Sequence, residues 1–199
     1  VFAADMDGDG DMDIVSASHR DHTIAWYENN GAADPSWTAA NIATNAIGAR
    51  SVFAADMDGD GDMDVVLTSG NDGGTIHCYY NNGTGKMKMR KCASIKAFSI
   101  ELADMDGDGD LDLVHHSDDR GSCCGTTWKG LTTGIRYNNG KGAFNGRSVK
   151  LPSGDKHFVH SPELNVWDID KDGDQDIVIG RVGDLYAGVA IQVLENTGN

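Results

Sequence analysis

The sequence predicts an all-β chain of four antiparallel units. Three observations carry that reading: an internal repeat, a strand-and-turn grammar inside each copy, and the lack of any sustained helical period. The first copy reads VFAADMDGDGDMDIVSAS from Val1 to Ser18, then TIAWYENNG from Thr23 to Gly31. The second reads VFAADMDGDGDMDVVLTS from Val52 to Ser69, then TIHCYYNNG from Thr75 to Gly83. The third has ELADMDGDGDLDLVHHS from Glu101 to Ser117 and TGIRYNNG from Thr133 to Gly140. The fourth has NVWDIDKDGDQDIVIG from Asn165 to Gly180 and IQVLENTG from Ile191 to Gly198.

Within each copy a short apolar strand enters an Asp-rich loop and a second apolar run, such as Ile14-Val15 or Ile177-Val178-Ile179, leaves it. A further strand then ends in Asn-Gly or Thr-Gly, a turn signal. Ser36–Ile42 and Met87–Ile95 read as outer strands before the next copy. Loop starts at Asp5, Asp56, Asp104 and Asp168 are spaced by 51, 48 and 64 residues. Three or four antiparallel strands at a period near 50 are the content of a propeller blade. The expected fold is a β-propeller-type array of four antiparallel blades, as one repeat domain over 1–199 with units near 1–51, 52–99, 100–162 and 163–199. Propellers close with roughly 4–8 blades, so the array can also be part of a larger ring or assembly. Unpaired strand edges add self-assembly into a fibril as an expectation. Asp118 to Leu131 and Gly146 to Pro162 read as loop insertions on this scaffold.

The formal net charge of −15 argues against nucleic acid and anionic membrane as partners. Twenty of the 31 acidic residues fall in the four Asp loops. The acidity therefore belongs to local sites, and four divalent cations would bring the charge to −7. No apolar run reaches the roughly 18 residues of a membrane span, so no membrane insertion is expected. The chain opens directly in a strand-like segment, as a mature or trimmed piece of a secreted protein would.

Each loop has the pattern D-x-D-x-D-G-D-x-D. The candidate ligand sets are Asp5, Asp7, Asp9, Asp11 and Asp13; Asp56, Asp58, Asp60, Asp62 and Asp64; Asp104, Asp106, Asp108, Asp110 and Asp112; and Asp168, Asp170, Asp172, Asp174 and Asp176. Calcium takes roughly 6–8 hard oxygen ligands, and close carboxylates on a tight loop supply them. In the first loop the side chains of Asp5, Asp7, Asp9 and Asp13 are expected to bind, with Asp11 offering its backbone carbonyl. Gly10, Gly61, Gly109 and Gly173 sit at the sixth position, where the chain must turn sharply. An EF-hand is excluded because its twelfth residue is Glu and helices flank it. Here that position holds Ser16, Leu67, His115 and Ile179 between β-like flanks. About four Ca2+ are expected, one per loop.

The spacing and surroundings of these loops resemble the FG-GAP and VCBS repeat families, best known from the propeller of integrin α subunits. The resemblance covers nearly the whole chain and implies blades around an axis, with calcium loops joining the first two strands of each. The Phe-Gly and Gly-Ala-Pro signatures of the first family are missing, and Trp26 to Gly31 looks closer to the VCBS-like version. Integrin-like ligand binding does not carry over.

Other residues open further readings. His115, His116, His157 and His160, with Arg136 and Tyr137, supply the groups a polysaccharide lyase or hydrolase needs, but no nucleophile or paired-carboxylate signature accompanies them. The chain is therefore read as a non-enzyme. Trp37 and Trp128 are candidates for stacking on sugars in a lectin-like alternative, while Trp26 and Trp167 read as core. Lys86, Lys88, Arg90, Lys91 and Lys96, interleaved with Met87 and Met89, read as a protected outer strand with one charged and one buried face, or as contact for a sulfated glycan. Cys78 and Cys92 flank a turn and can bridge neighbouring strands, with Cys123 and Cys124 leaving the connectivity open. Asn82-Gly83-Thr84 is a glycosylation sequon. Together these features predict a calcium-stabilised extracellular or cell-surface module with a structural, adhesive or assembly role, whose partners are other protein chains or glycans.

Overall fold

The computed structural model describes residues 1–70, 74–97, 99–118, 131–144, 148–150, 158–183 and 189–196. Among them no helix occurs and fifteen strands form four antiparallel sheets. The first sheet runs β1 (Phe2–Ala4), β2 (Asp13–Ser18), β3 (Thr23–Asn29), β4 (Trp37–Ala43). The second runs β5 (Val52–Ala55), β6 (Asp64–Ser69), β7 (Gly74–Tyr80), β8 (Lys88–Ala97). In the third, β9 (Ser99–Ala103), β10 (Asp112–Asp118), β11 (Leu131–Arg136) and β12 (Ser148–Lys150) follow the same order. The fourth has three described strands, β13 (Phe158–Trp167), β14 (Asp176–Gly183) and β15 (Val189–Leu194). Each strand pairs with its sequence neighbour, so each sheet is a meander.

The expected outer strands are present as β4 and β8, displaced by one or two residues. Between β7 and β8 the register shifts near Ile76 and Cys78, and Cys78 is bridged to Cys92. Cys123 and Cys124 lie outside the described residues.

The core lies between sheets. Met6, Val15, Ile24 and Trp26 of the first sheet pack with Val52, Ala54, Val65 and Leu67 of the second. Met57, Val66, Ile76 and Cys78 of the second sheet meet Ile100 and Leu113 of the third. Met105, Val114 and Ile135 of the third meet Leu164, Ile177 and Ile179 of the fourth. Each sheet thus has a leading face toward the previous unit and a trailing face toward the next. Because side chains alternate across a strand, β6 is buried at every position from Asp64 to Ser69: its two faces fill two different seams. Such a strand reads as a continuous apolar run, as Val65-Val66-Leu67 does.

The first strands of all four sheets converge on one cavity of about 360 Å3, lined by Phe2, Val52, Phe53, Ile100, Glu101, Leu164 and Asn165 among others. Burial beside it pushes the Glu101 carboxyl up to about 7. The sheets therefore curve around a common centre, with their outer strands pointing away from it.

Two burial expectations are corrected. Trp167 was expected in the core and is 72% exposed, because it sits on the trailing face of the fourth sheet, where no described sheet follows. Met89 was expected on the buried face of the outer strand and is exposed, whereas Met87 packs partly against the first seam. Met87 precedes β8, which begins at Lys88, so the alternation of that strand does not extend to it, and Met89 pairs with Tyr79 on the outermost strand of the sheet.

Candidate metal centres

Each Asp loop joins the first two strands of its sheet, and its shape is written by hydrogen bonds from backbone to carboxylate. In the first loop the N–H groups of Gly8 (2.8 Å) and Asp9 (3.1 Å) donate to Asp5 Oδ1, and Gly10 N–H donates to Asp5 Oδ2 (2.9 Å). Asp56 and Asp104 receive the same three bonds in the second and third loops. The fourth loop keeps two of them, from Lys171 and Gly173 to Asp168. The sixth-position glycines turn the chain at φ between +92° and +100°, where a Cβ is costly. The fourth position is also left-handed, with Gly8, Gly59 and Gly107 near +77° and Lys171 at +66°.

The ninth aspartate is a staple. Asp13 accepts Met6 N–H (3.0 Å) on Oδ2 and Asn29 N–H (2.7 Å) on Oδ1, tying the loop's second residue to the end of β3. Asp64, Asp112 and Asp176 repeat both bonds, to Met57 and Asn81, Met105 and Asn138, and Ile169 and Asn196. All four are buried. Burial pushes Asp64 up to about 7 and Asp112 up to about 6, against the pull of those N–H donors.

Carboxylate oxygens of Asp5, Asp7 and Asp13 lie within 4.8 Å of one another, as do those of Asp56, Asp58 and Asp64 and of Asp168, Asp170 and Asp176. In the third loop the converging set is Asp104, Asp106 and Asp108. Asp9, Asp60 and Asp172 each accept an N–H two residues on, from Asp11, Asp62 and Asp174. The seventh-position side chains of Asp11, Asp62 and Asp110 lie against Gly31, Gly83 and Gly140, so a side chain at those glycines would collide with a carboxylate.

An all-oxygen donor set of three close carboxylates suits a hard divalent cation. The fit is sharpest in the second loop, where Asp58 Oδ1 is buried with no hydrogen-bond partner. A buried, unpartnered carboxylate oxygen is costly, and a cation at the triad would satisfy it. Desolvation first, then Asp60 and Asp56, push the Asp58 carboxyl above its usual range; desolvation and Asp9 do the same to Asp7. The loops hold charge they are reluctant to carry alone.

One set of contacts escaped the sequence reading. Asn81 Nδ2 donates to Met6 O (2.8 Å), Asn138 Nδ2 to Met57 O (2.9 Å) and Asn196 Nδ2 to Met105 O (3.2 Å). Each asparagine reaches from its own strand end into the Asp loop of the unit before. The Asn-Asn-Gly and Asn-Thr-Gly repeats carried the signal, but read singly they indicate only a turn.

The remaining candidates fall as follows. His115 and His116 are buried in β10 and, as neighbours on a strand, point to opposite faces. His116 Nδ1 lies 2.9 Å from Thr133 Oγ1. Desolvation, then the Arg136 guanidinium and His116, lower His115 to about 4, so it is neutral near pH 7. His160 lies in β13; His157 and Trp128 lie outside the described residues. Trp26 is buried and Trp37 exposed on β4. Lys88 and Arg90 are exposed on the outer strand β8, with Arg90 over the Tyr80 ring at 4.5 Å; Lys86 is exposed just before that strand, and Lys91 and Lys96 lie within it. Asn82 is exposed at the turn after β7, where its Oδ1 accepts from Thr84 Oγ1 (2.8 Å).

A family model described as FG-GAP-like repeat matches residues 5–67 and 60–115, more than half of the chain and the whole of the first three Asp loops. None of the curated proteins matches it. No helix among the described residues is long and apolar enough to cross a membrane.

Proposed function

This chain belongs to the FG-GAP-like repeat family, whose repeats form β-propellers, and from that premise we propose that it is a calcium-stabilised structural module of the cell exterior. Its role is to present and join rigid blades in an adhesive or assembled structure, with other protein chains or glycans as partners. The observation that carries the reading is the buried, unpartnered Oδ1 of Asp58 inside a converging carboxylate triad, a triad repeated in every sheet. Family repeats are typical of extracellular proteins. Extracellular calcium modules work at roughly 10⁻⁴–10⁻³ M, which suits small, partly exposed loops such as these.

Calcium is structural in this reading. It neutralises each loop while the ninth aspartate fixes the loop to the strand end, so binding and folding are coupled. Burial of His115 and His116 withholds both from a polymeric substrate, which favours a non-catalytic role over a lyase.

The test is thermal unfolding with and without chelator. At free calcium about tenfold above Kd, each site adds about 1.4 kcal/mol. Four sites then raise Tm by about 10–20 °C, at roughly 2–4 °C per kcal/mol for a chain of this size. Calcium should restore the lost stability after chelation, and magnesium should do so less well. An unchanged melting curve after exhaustive chelation refutes the proposal.

A further inference from the structure

The cavity at the centre of the sheets is lined by one register position repeated in all four. Phe2, Phe53, Glu101 and Asn165 stand opposite Val15, Val66, Val114 and Val178 in the pairing of each sheet's first two strands. Each of those valines lies at the same distance beyond its loop start. Equivalent positions on equivalent strands thus bring four side chains to one space. In the first two sheets the position is aromatic, and the Phe2 and Phe53 ring centroids lie 5.2 Å apart, tilted at 49°. The third and fourth sheets depart from that pattern with a carboxylate and an amide. The lining is therefore part aromatic and part polar.

Glu101 is the member that stability alone does not explain. A carboxylate that loses water without gaining a partner is costly, and the first two units show that an apolar ring is accepted in its place. Burial is the one influence that raises its carboxyl to about 7; among the described residues no neighbouring charge or hydrogen bond acts on it. Arg50 also lines the cavity, but it is exposed and exerts no pull on that carboxyl. The rest of the wall includes apolar Val52, Ile100 and Leu164. At about 360 Å3 the space is within the range of small-molecule pockets. A hard metal ion would need several oxygen ligands, and Glu101 is the one carboxylate among the described residues that line the cavity. An anion would meet that carboxylate as a like charge. An organic cation satisfies the carboxylate with its charge and the rings with its C–H surface, because a ring face attracts a cation.

We infer that this cavity binds a small organic ammonium ion, a primary to quaternary amine, between the Glu101 carboxylate and the Phe2 and Phe53 rings. Asn165 supplies a hydrogen-bonding amide to a polar substituent of the same ligand. The site shares no residue with the Asp loops, so it stands independently of the calcium reading and adds a ligand to it.

The probe is choline, set against the neutral alcohol in which carbon replaces the choline nitrogen, a molecule of the same shape without the charge. Each is titrated into the chain in saturating calcium at about pH 8, where the carboxyl is ionised. Choline should bind with a Kd of about 1 mM, read as saturable shifts of the Phe53, Ile100 and Glu101 amide signals in nitrogen–proton correlation spectra. Glu101→Gln keeps the shape of the side chain and removes its charge. Burial already favours the neutral form there, so the variant should fold at least as well, which its circular dichroism verifies. Its affinity for choline should fall about tenfold or more, while the neutral alcohol binds both chains equally weakly. Choline that gives no saturable shift, an alcohol that binds as tightly as choline, or a variant that binds choline as the wild type does overturns the inference. The melting shift on chelation is measured on the same samples, so failure of the calcium reading registers separately.

Discussion

The second and fourth sheets have the same loop, the same buried staple and the same strand-end asparagine, yet their burial differs sharply. β6 is buried along its whole length, while β14 alternates from Ile177 and Ile179, buried, to Val178, half-buried. Met57 is 1% exposed; Ile169, at the same loop position, is 44% exposed. The Asp loop is thus a local structure, held by bonds that span nine residues and one strand end. Burial of the residues it carries depends on the next sheet. Loop geometry is a property of a unit, and the core is a property of a pair.

The largest contrast should come from truncating the two equivalent loop residues. Met57→Ala empties a filled seam and should cost about 2–5 kcal/mol. Ile169→Ala in the single chain should cost under about 1 kcal/mol, because half its surface is already in water. Chemical denaturation of both variants measures the difference; equal costs would break the idea that burial at this loop position is set by the neighbouring sheet.

The next contrast concerns the twelfth loop position, His115 in the third sheet and Ile179 in the fourth. His115 titrates at about 4 in the folded chain and near 6.5 when unfolded. Between those values the unfolded state binds a proton that the folded state refuses. Stability is therefore lost as pH falls from about 6.5 to about 4, by at most about 3 kcal/mol. Glu101, pushed up to about 7, acts in the opposite direction over part of this range, so the histidine is isolated by difference. At fixed saturating calcium, unfolding midpoints of the wild type and His115→Gln at pH 7 and pH 4.5 should diverge, with the variant losing less. Parallel profiles would show that the buried ring does not set the acid sensitivity.

The smallest effect separates the fourth loop from the other three. Lys171 occupies a left-handed position that is glycine in each of them. Lys171→Gly should relieve backbone strain of about 1–2 kcal/mol and lose part of it to the greater freedom of an unfolded glycine. The expected net gain is about 0.5–1 kcal/mol, read as a small rise in Tm. A loss would mean that the lysine side chain makes a compensating contact.

Much of this architecture is legible in the sequence because the features that specify it are local. Asn-Gly turns, apolar runs such as Val65-Val66-Leu67 and the spaced aspartates each act within about fifteen residues. Cys78 and Cys92 flank one turn, but with Cys123 and Cys124 in the chain the sequence leaves the connectivity open, and the fold pairs these two. What the sequence conceals is set by neighbours. Trp167 has the composition of a core residue and is exposed, on a face against which no described sheet packs. The ninth aspartate reads as one more carboxylate, and only the fold shows both its oxygens holding backbone N–H groups. The asparagine bridges join residues 75, 81 and 91 positions apart, a separation at which a turn motif carries no message about its partner.

Those bridges end on main-chain carbonyls, and every residue has one. A backbone acceptor does not depend on which side chain its residue carries, so this one bond between neighbours is nearly blind to sequence. The apolar seams beside those bridges carry the sequence-dependent part of the joint. Lineages built this way can duplicate, lose or shuffle whole modules without redesigning that bond, and length becomes a whole-number variable on which selection acts one blade at a time.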